Sequence, residues 1–201
     1  GNVFSAYAAK ALGLPIENLV VATNTNDILS RFFNSGKMEI KQVRPSLSPS
    51  MDIQVSSNFE RLLFDLCERD GSLTNEIIEN FRTNGYFDIE MESIATRANI
   101  FSALSVDDET TLARIKKTHK DTGEIIDPHS AVGLEAAHQI RSSGFASPEI
   151  PIISLACAHP AKFPDAVYRA TGFYPELPAQ LNDLLEKKEY TVELPNDFDS
   201  V

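Results

Sequence analysis

The residues best equipped for chemistry fall into a few short strings. Cys157-Ala158-His159-Pro160-Ala161-Lys162-Phe163 places a thiol, an imidazole and an ammonium on one turn, where a cation and a hydrogen-bond donor can receive an anionic group. Ser57, Asn58 and Arg61 offer the same chemistry from the start of a helix. Taken alone, Ser57 and Asn58 are as often caps, and Arg61 is as often a surface ion-pair partner. His129 follows Asp127-Pro128 at a helix amino end, whose positive potential favours a neutral, hydrogen-bonding imidazole, and it is expected to line a pocket. A lone cysteine ending a buried strand, as Cys157 would, is usually a small core hydrophobe. His119, His129, His138 and His159 do not read as a metal site. Helical zinc ligands favour spacings of about three or four, whereas His129 and His138 stand nine apart on different faces, and no HExxH string occurs.

Several elements must position these groups. Phe4, Tyr7, Ala8, Ala11 and Leu12 recur at helical spacing, so a helix is expected from almost the first residue to Gly13 and Pro15. Asn18 to Thr23 reads as a buried parallel strand, and Asp27 to Ser35 as a helix closed by Gly36. Arg44 to Ser50, dense in proline and serine, reads as a loop or a change of lobe. Ser57 and Glu60 have capping-box spacing ahead of the stripe Phe59, Leu62, Leu63, Leu66 and Cys67, which predicts a helix opened by Ser57. Further helices are expected over Thr74 to Arg82 and Asp108 to His119, making the middle mainly helical. Asp127 as N-cap and Pro128 in the first turn predict a helix to about Ser143. Pro151 to Ala156 reads as the clearest buried strand, delivering Cys157 to a strand-to-helix turn. The order of elements predicts a doubly wound α/β sheet, whose ligands gather beyond the carboxyl ends of its strands. Its divisions are 1–45 in one α/β domain, 46–124 as a mainly helical segment, and 125–201 as a return to the α/β domain.

Bulk composition narrows the partners. Of the 201 residues, 42% are hydrophobic and 23% charged, enough apolar material for a sizeable core. The net charge of −11 opposes binding to a nucleic-acid backbone or an anionic membrane. Two cysteines far apart suit a reducing compartment and exclude a disulfide framework. No signal peptide is visible, and the apolar stretch around Ile150 to Ala158 is too short to span a bilayer. A soluble, cytoplasmic protein is expected. The amphipathic pattern beginning at once, without an initiator methionine, predicts a piece of a longer polypeptide.

Four strings in order resemble threonine synthase of the bacterial and fungal type. They are Gly1-Asn2-Val3-Phe4 through Gly13-Leu14-Pro15; Leu47-Ser48-Pro49-Ser50-Met51-Asp52-Ile53 with Ser56-Ser57-Asn58-Phe59-Glu60-Arg61; Asp127-Pro128-His129-Ser130-Ala131-Val132-Gly133; and Ala158-His159-Pro160-Ala161-Lys162-Phe163. The resemblance implies the carboxy-terminal portion of a fold type II pyridoxal-phosphate enzyme (tryptophan synthase β-like). It implies conversion of O-phosphohomoserine and water to threonine and phosphate by elimination and replacement, with pyridoxal 5′-phosphate as electron sink. Gly1 and Asn2 match the last positions of the family's phosphate-cradling loop, and the helix that follows would point its positive end at the dianion. Cys157 stands where the family usually has a threonine beside the ring nitrogen, and a thiol is a weaker donor and acceptor there. His129, His159, Lys162, Ser57, Asn58 and Arg61 become candidate substrate ligands. The Schiff-base lysine lies upstream in the family and no lysine here has its setting, so no catalytic residue is assigned. The partners implied are a small-molecule substrate and the remaining amino-terminal half. The alternative is a non-catalytic relative that binds a small phosphorylated ligand.

Overall fold

The computed structural model describes residues 1–156 and 158–200. Helix α1 (Asn2–Ala11) leads to strand β1 (Leu19–Thr23), helix α2 (Ile28–Ser35) and the short strand β2 (Lys37–Glu39). Helices α3 (Phe59–Leu66) and α4 (Gly71–Asn84), strand β3 (Tyr86–Asp88), helix α5 (Met91–Ala98) and strand β4 (Phe101–Ser105) follow. Helices α6 (Asp108–Thr122), α7 (Pro128–Ser142) and α8 (Pro164–Thr171) complete the regular elements longer than a single 3-10 turn.

Strands β1 and β4 run parallel in register from Leu19 opposite Phe101 to Thr23 opposite Ser105. β2 and β3 pair antiparallel, Met38 opposite Phe87. Parallel strands need a long crossover, and here it carries α2 to α5. Both 46–124 strands, β3 and β4, lie inside the stretch that reads as mainly helical. β4 is a short apolar run bounded by Asn99 and Asp107, a signal that helix and strand share; pairing with β1 decides it.

The helix boundaries follow local chemistry. α2 and α4 close on Gly36 and Gly85 in the left-handed conformation. The Asp127 carboxylate accepts the His129 and Ser130 backbone N–H groups, capping α7, and Pro128 occupies the position where a missing N–H costs nothing. One core gathers Ile28, Phe32, Phe33, Met38, Phe59, Leu62, Leu63, Leu66, Phe81 and Phe87. Phe32 packs edge-on against Phe33, Phe59 and Phe87, with centroids 4.9 to 5.8 Å apart. Each such buried ring contributes roughly 1.5–3 kcal/mol.

Two expectations are corrected. Ser57 does not open α3: that helix begins at Phe59 with Asn58 as N-cap and no side-chain cap bond, and Ser57 is exposed. The chain enters through a turn already wound, in which the Phe59 N–H donates to the Ser56 carbonyl and leaves the hydroxyl no capping role. Pro151 to Ala156 forms no strand, and Ile153 is 81% exposed. A strand is stabilised by a ladder with a neighbour, and among the described residues no strand lies beside this run. Instead it packs on α7, where Gly133 leaves room for the Ser154 hydroxyl. The expectation for Cys157 lies outside the described residues.

Candidate functional site

The carboxyl ends of β1 and β4 face one loop. Asn24 and Asn26, directly after β1, are both buried. The Asn24 amide donates to the Ser46 and Ser48 hydroxyls (2.7 and 3.0 Å) and to Asp52 Oδ1 (2.8 Å). The Asn26 amide donates to the Arg44 carbonyl and Asp52 Oδ1, each at 2.9 Å. Asp108, at the start of the helix after β4, accepts the Leu47 backbone N–H at 3.2 Å. A short 3-10 turn, Pro49–Met51, forms the loop's crest, and Pro49 and Ser50 face solvent. None of these asparagines and serines stood out as site residues in the sequence; the available signal was two asparagines immediately after a buried strand.

The amino end of α7 meets the same loop. His129 is 4% exposed, and its Nε2 accepts the Ser50 backbone N–H at 3.2 Å. Its Nδ1 lies 2.9 Å from Asp127 Oδ1, and because Nε2 accepts a backbone N–H, the ring proton sits on Nδ1 and donates to that carboxylate. Burial works against the Asp127 charge, but hydrogen bonds from the His129 ring, the Ser130 hydroxyl and the His129 backbone outweigh it, holding the carboxyl below the usual carboxylate value. The Phe163 ring packs on His129 with centroids 4.6 Å apart, and Lys162 Nζ stands 5.8 Å from the Phe163 ring centre. His159 is exposed and caps the 3-10 turn Pro160–Lys162, its Nδ1 accepting the Ala161 N–H at 3.2 Å. The α7 string and the turn string thus meet through His129 and Phe163.

The remaining candidates fall elsewhere. Gly1 and Asn58 line one crevice with Val3, Phe4, Ser56 and Phe59, bringing the amino ends of α1 and α3 together. Arg61 faces a different, open groove between α3 and α4, beside Thr74, Asn75 and Arg82. Behind the crevice, the Tyr7 hydroxyl donates to Asp65 and ties α1 to α3; burial, then that bond, pushes the phenol up to about 12. Among the described residues no three His, Cys, Asp or Glu side chains are grouped to hold a metal ion, and no helix is long and apolar enough to cross a membrane.

The architecture is that of the fold type II pyridoxal-phosphate enzymes, seen here as a partial parallel sheet with many helices. Residues 130–201 match the family described as threonine synthase, C-terminal. The threonine synthase of Pseudomonas aeruginosa is 44% identical over 202 aligned residues, which cover 100% of this chain and 42% of that protein. That of Saccharomyces cerevisiae is 40% identical over 188 residues, 86% of this chain and 36% of the relative. The solved structure of PLP-bound threonine synthase from Brucella melitensis superimposes with a TM-score of 0.86 at 45% identity, covering 94% of this chain and 39% of that one. The chain belongs to the threonine synthase family and spans about two fifths of the length of the relatives it matches.

Proposed function

We propose that this chain is the carboxy-terminal part of an enzyme that converts O-phosphohomoserine and water to threonine and phosphate, a carbon–oxygen lyase acting on phosphates. The observation that carries the reading is similarity along the whole chain, 44% identity across all of it, joined to the matching fold. Pyridoxal phosphate, when bound, supplies the electron sink for elimination and replacement. The residues present suit such a group: α1 begins at Gly1 with no side-chain cap and no acidic residue in its first turn, so its positive end suits a phosphate dianion.

In this reading Gly1 and Asn2 hold the cofactor phosphate, and Cys157 stands beside the ring nitrogen. His159 and Lys162 present an imidazole and a cation at the solvent-facing turn, where they receive the substrate phosphate. Ser57 and Asn58, next to the Gly1 crevice, orient the substrate; Arg61, in the outer groove, adds its positive charge at longer range. His129 has both ring nitrogens engaged within the protein, so its part is to shape the site. The lysine that binds the cofactor lies in the amino-terminal half, and the assembled enzyme works in the cytoplasm.

The test compares the chain with the complete polypeptide. The complete enzyme is expected to release phosphate from O-phosphohomoserine in step with threonine, and the chain alone to release none. Borohydride reduction of the chain with the cofactor is expected to leave every lysine unmodified. A stoichiometric adduct on one lysine of this chain would overturn the upstream placement.

A further inference from the structure

The loop over the carboxyl ends of β1 and β4 has an unusual hydrogen-bond account. From Arg44 to Ile53, every backbone N–H is accepted within the protein, and the two residues without one are Pro45 and Pro49. Asn26 takes the N–H of Arg44, Asp52 that of Ser46, Asp108 that of Leu47, the Ser46 hydroxyl that of Ser48, and His129 that of Ser50. Met51, Asp52 and Ile53 donate to carbonyls of the loop itself. Loops on protein surfaces ordinarily leave such groups to water. This one is tied to the segment after β1, the start of α6 and the amino end of α7, and so has a single preset shape.

One of these acceptors depends on a tautomer. An imidazole nitrogen accepts only when it carries no proton. Asp127 holds the proton on Nδ1 and thereby leaves Nε2 free for the Ser50 N–H. We infer that His129 is a positioning residue: as the neutral Nδ1–H tautomer set by Asp127, it fixes the Pro49–Met51 crest as a rigid wall of the substrate site at the carboxyl edge of the β1–β4 pair. The placement follows from the rule that ligands in open α/β sheets bind beyond the carboxyl ends of strands, where Asn24 and Asp108 anchor this loop. The inference rests on the proposed function for its substrate, O-phosphohomoserine. A preset wall lowers the ordering cost of binding, so its loss raises KM more than it lowers kcat.

The test is made on the complete holoenzyme. In the wild type, long-range nitrogen–proton spectra are expected to show His129 Nε2 unprotonated and Nδ1 protonated; the opposite tautomer overturns the inference without any variant. H129F is expected to speed hydrogen exchange at the Ser50 amide roughly tenfold, the loss of about one hydrogen bond, and to raise KM for O-phosphohomoserine several-fold. H129Q, whose side-chain oxygen can accept the same N–H, is expected to restore most of both. Unchanged exchange in H129F, or lost protection with unchanged KM, overturns the positioning role. A wild type with no turnover overturns the proposed function, and the wall's substrate with it, while the tautomer and exchange results still report on His129 separately.

Discussion

Replacing Asp127 by alanine removes the carboxylate that joins α7 to its own first turn. Asp127 is fully buried and accepts the His129 and Ser130 backbone N–H groups at 2.9 and 3.3 Å. It also accepts the His129 Nδ1–H at 2.9 Å and the Ser130 hydroxyl. Loss of an N-cap costs about 1 kcal/mol. Loss of a buried hydrogen bond to a charged acceptor adds about 1.5–3 kcal/mol, because the imidazole N–H stays buried without it. Relief of burying a charge offsets part of this, but the carboxyl's lowered pKa shows that the hydrogen bonds exceed the burial penalty. The net expectation is about 3 kcal/mol of destabilisation at neutral pH, read from urea unfolding of the complete protein followed by circular dichroism. A folded-state pKa below the ordinary 3.8 means the contribution is fully present above 3.8 and disappears as pH falls through the lower folded value. The gap between wild type and D127A should therefore narrow only in strong acid. D127N, which keeps one oxygen for the backbone donors, should lose about half as much. A D127A protein within about 1 kcal/mol of wild type at neutral pH would refute the reasoning, since a cap alone accounts for that much.

Two further perturbations follow from the packing. At Gly36, with φ at +77°, an added Cβ would lie 2.0 Å from the Ile89 carbonyl oxygen, whereas at helical Gly133 it would meet only the movable Ser154 hydroxyl at 2.6 Å. G36A should cost well over 2 kcal/mol from left-handed strain plus a backbone clash, and G133A should be near neutral because helix propensity gains up to about 1 kcal/mol; thermal unfolding midpoints decide. Arg114 Nε and Nη2 donate to Glu135 Oε2 at 2.8 and 2.6 Å, with the side chains only 14% and 10% exposed, tying α6 to α7. E135Q should destabilise by roughly 2–4 kcal/mol, and replacing both partners by methionine should recover most of it; equal losses for single and double variants would contradict that account.

What the sequence determined by itself is what local chemistry encodes. The cap at Asp127, the stop at Gly36, the apolar stripe of α3 and the strand at β1 depend on partners within a few positions, so their signals lie side by side in the chain. The motif strings likewise carried the family, because they are contiguous. Tertiary structure decided everything whose partner is remote. β4 is a strand because β1 lies beside it; Pro151 to Ala156 has the same apolar character and no described neighbour, and stays irregular. Ser57 lost its predicted cap to a turn that satisfied the N–H by backbone. His129 was legible as a neutral imidazole at a helix start, but its partner Ser50 lies 79 residues away. No spacing rule connects the two: the fold brings that N–H to the nitrogen that Asp127 leaves unprotonated.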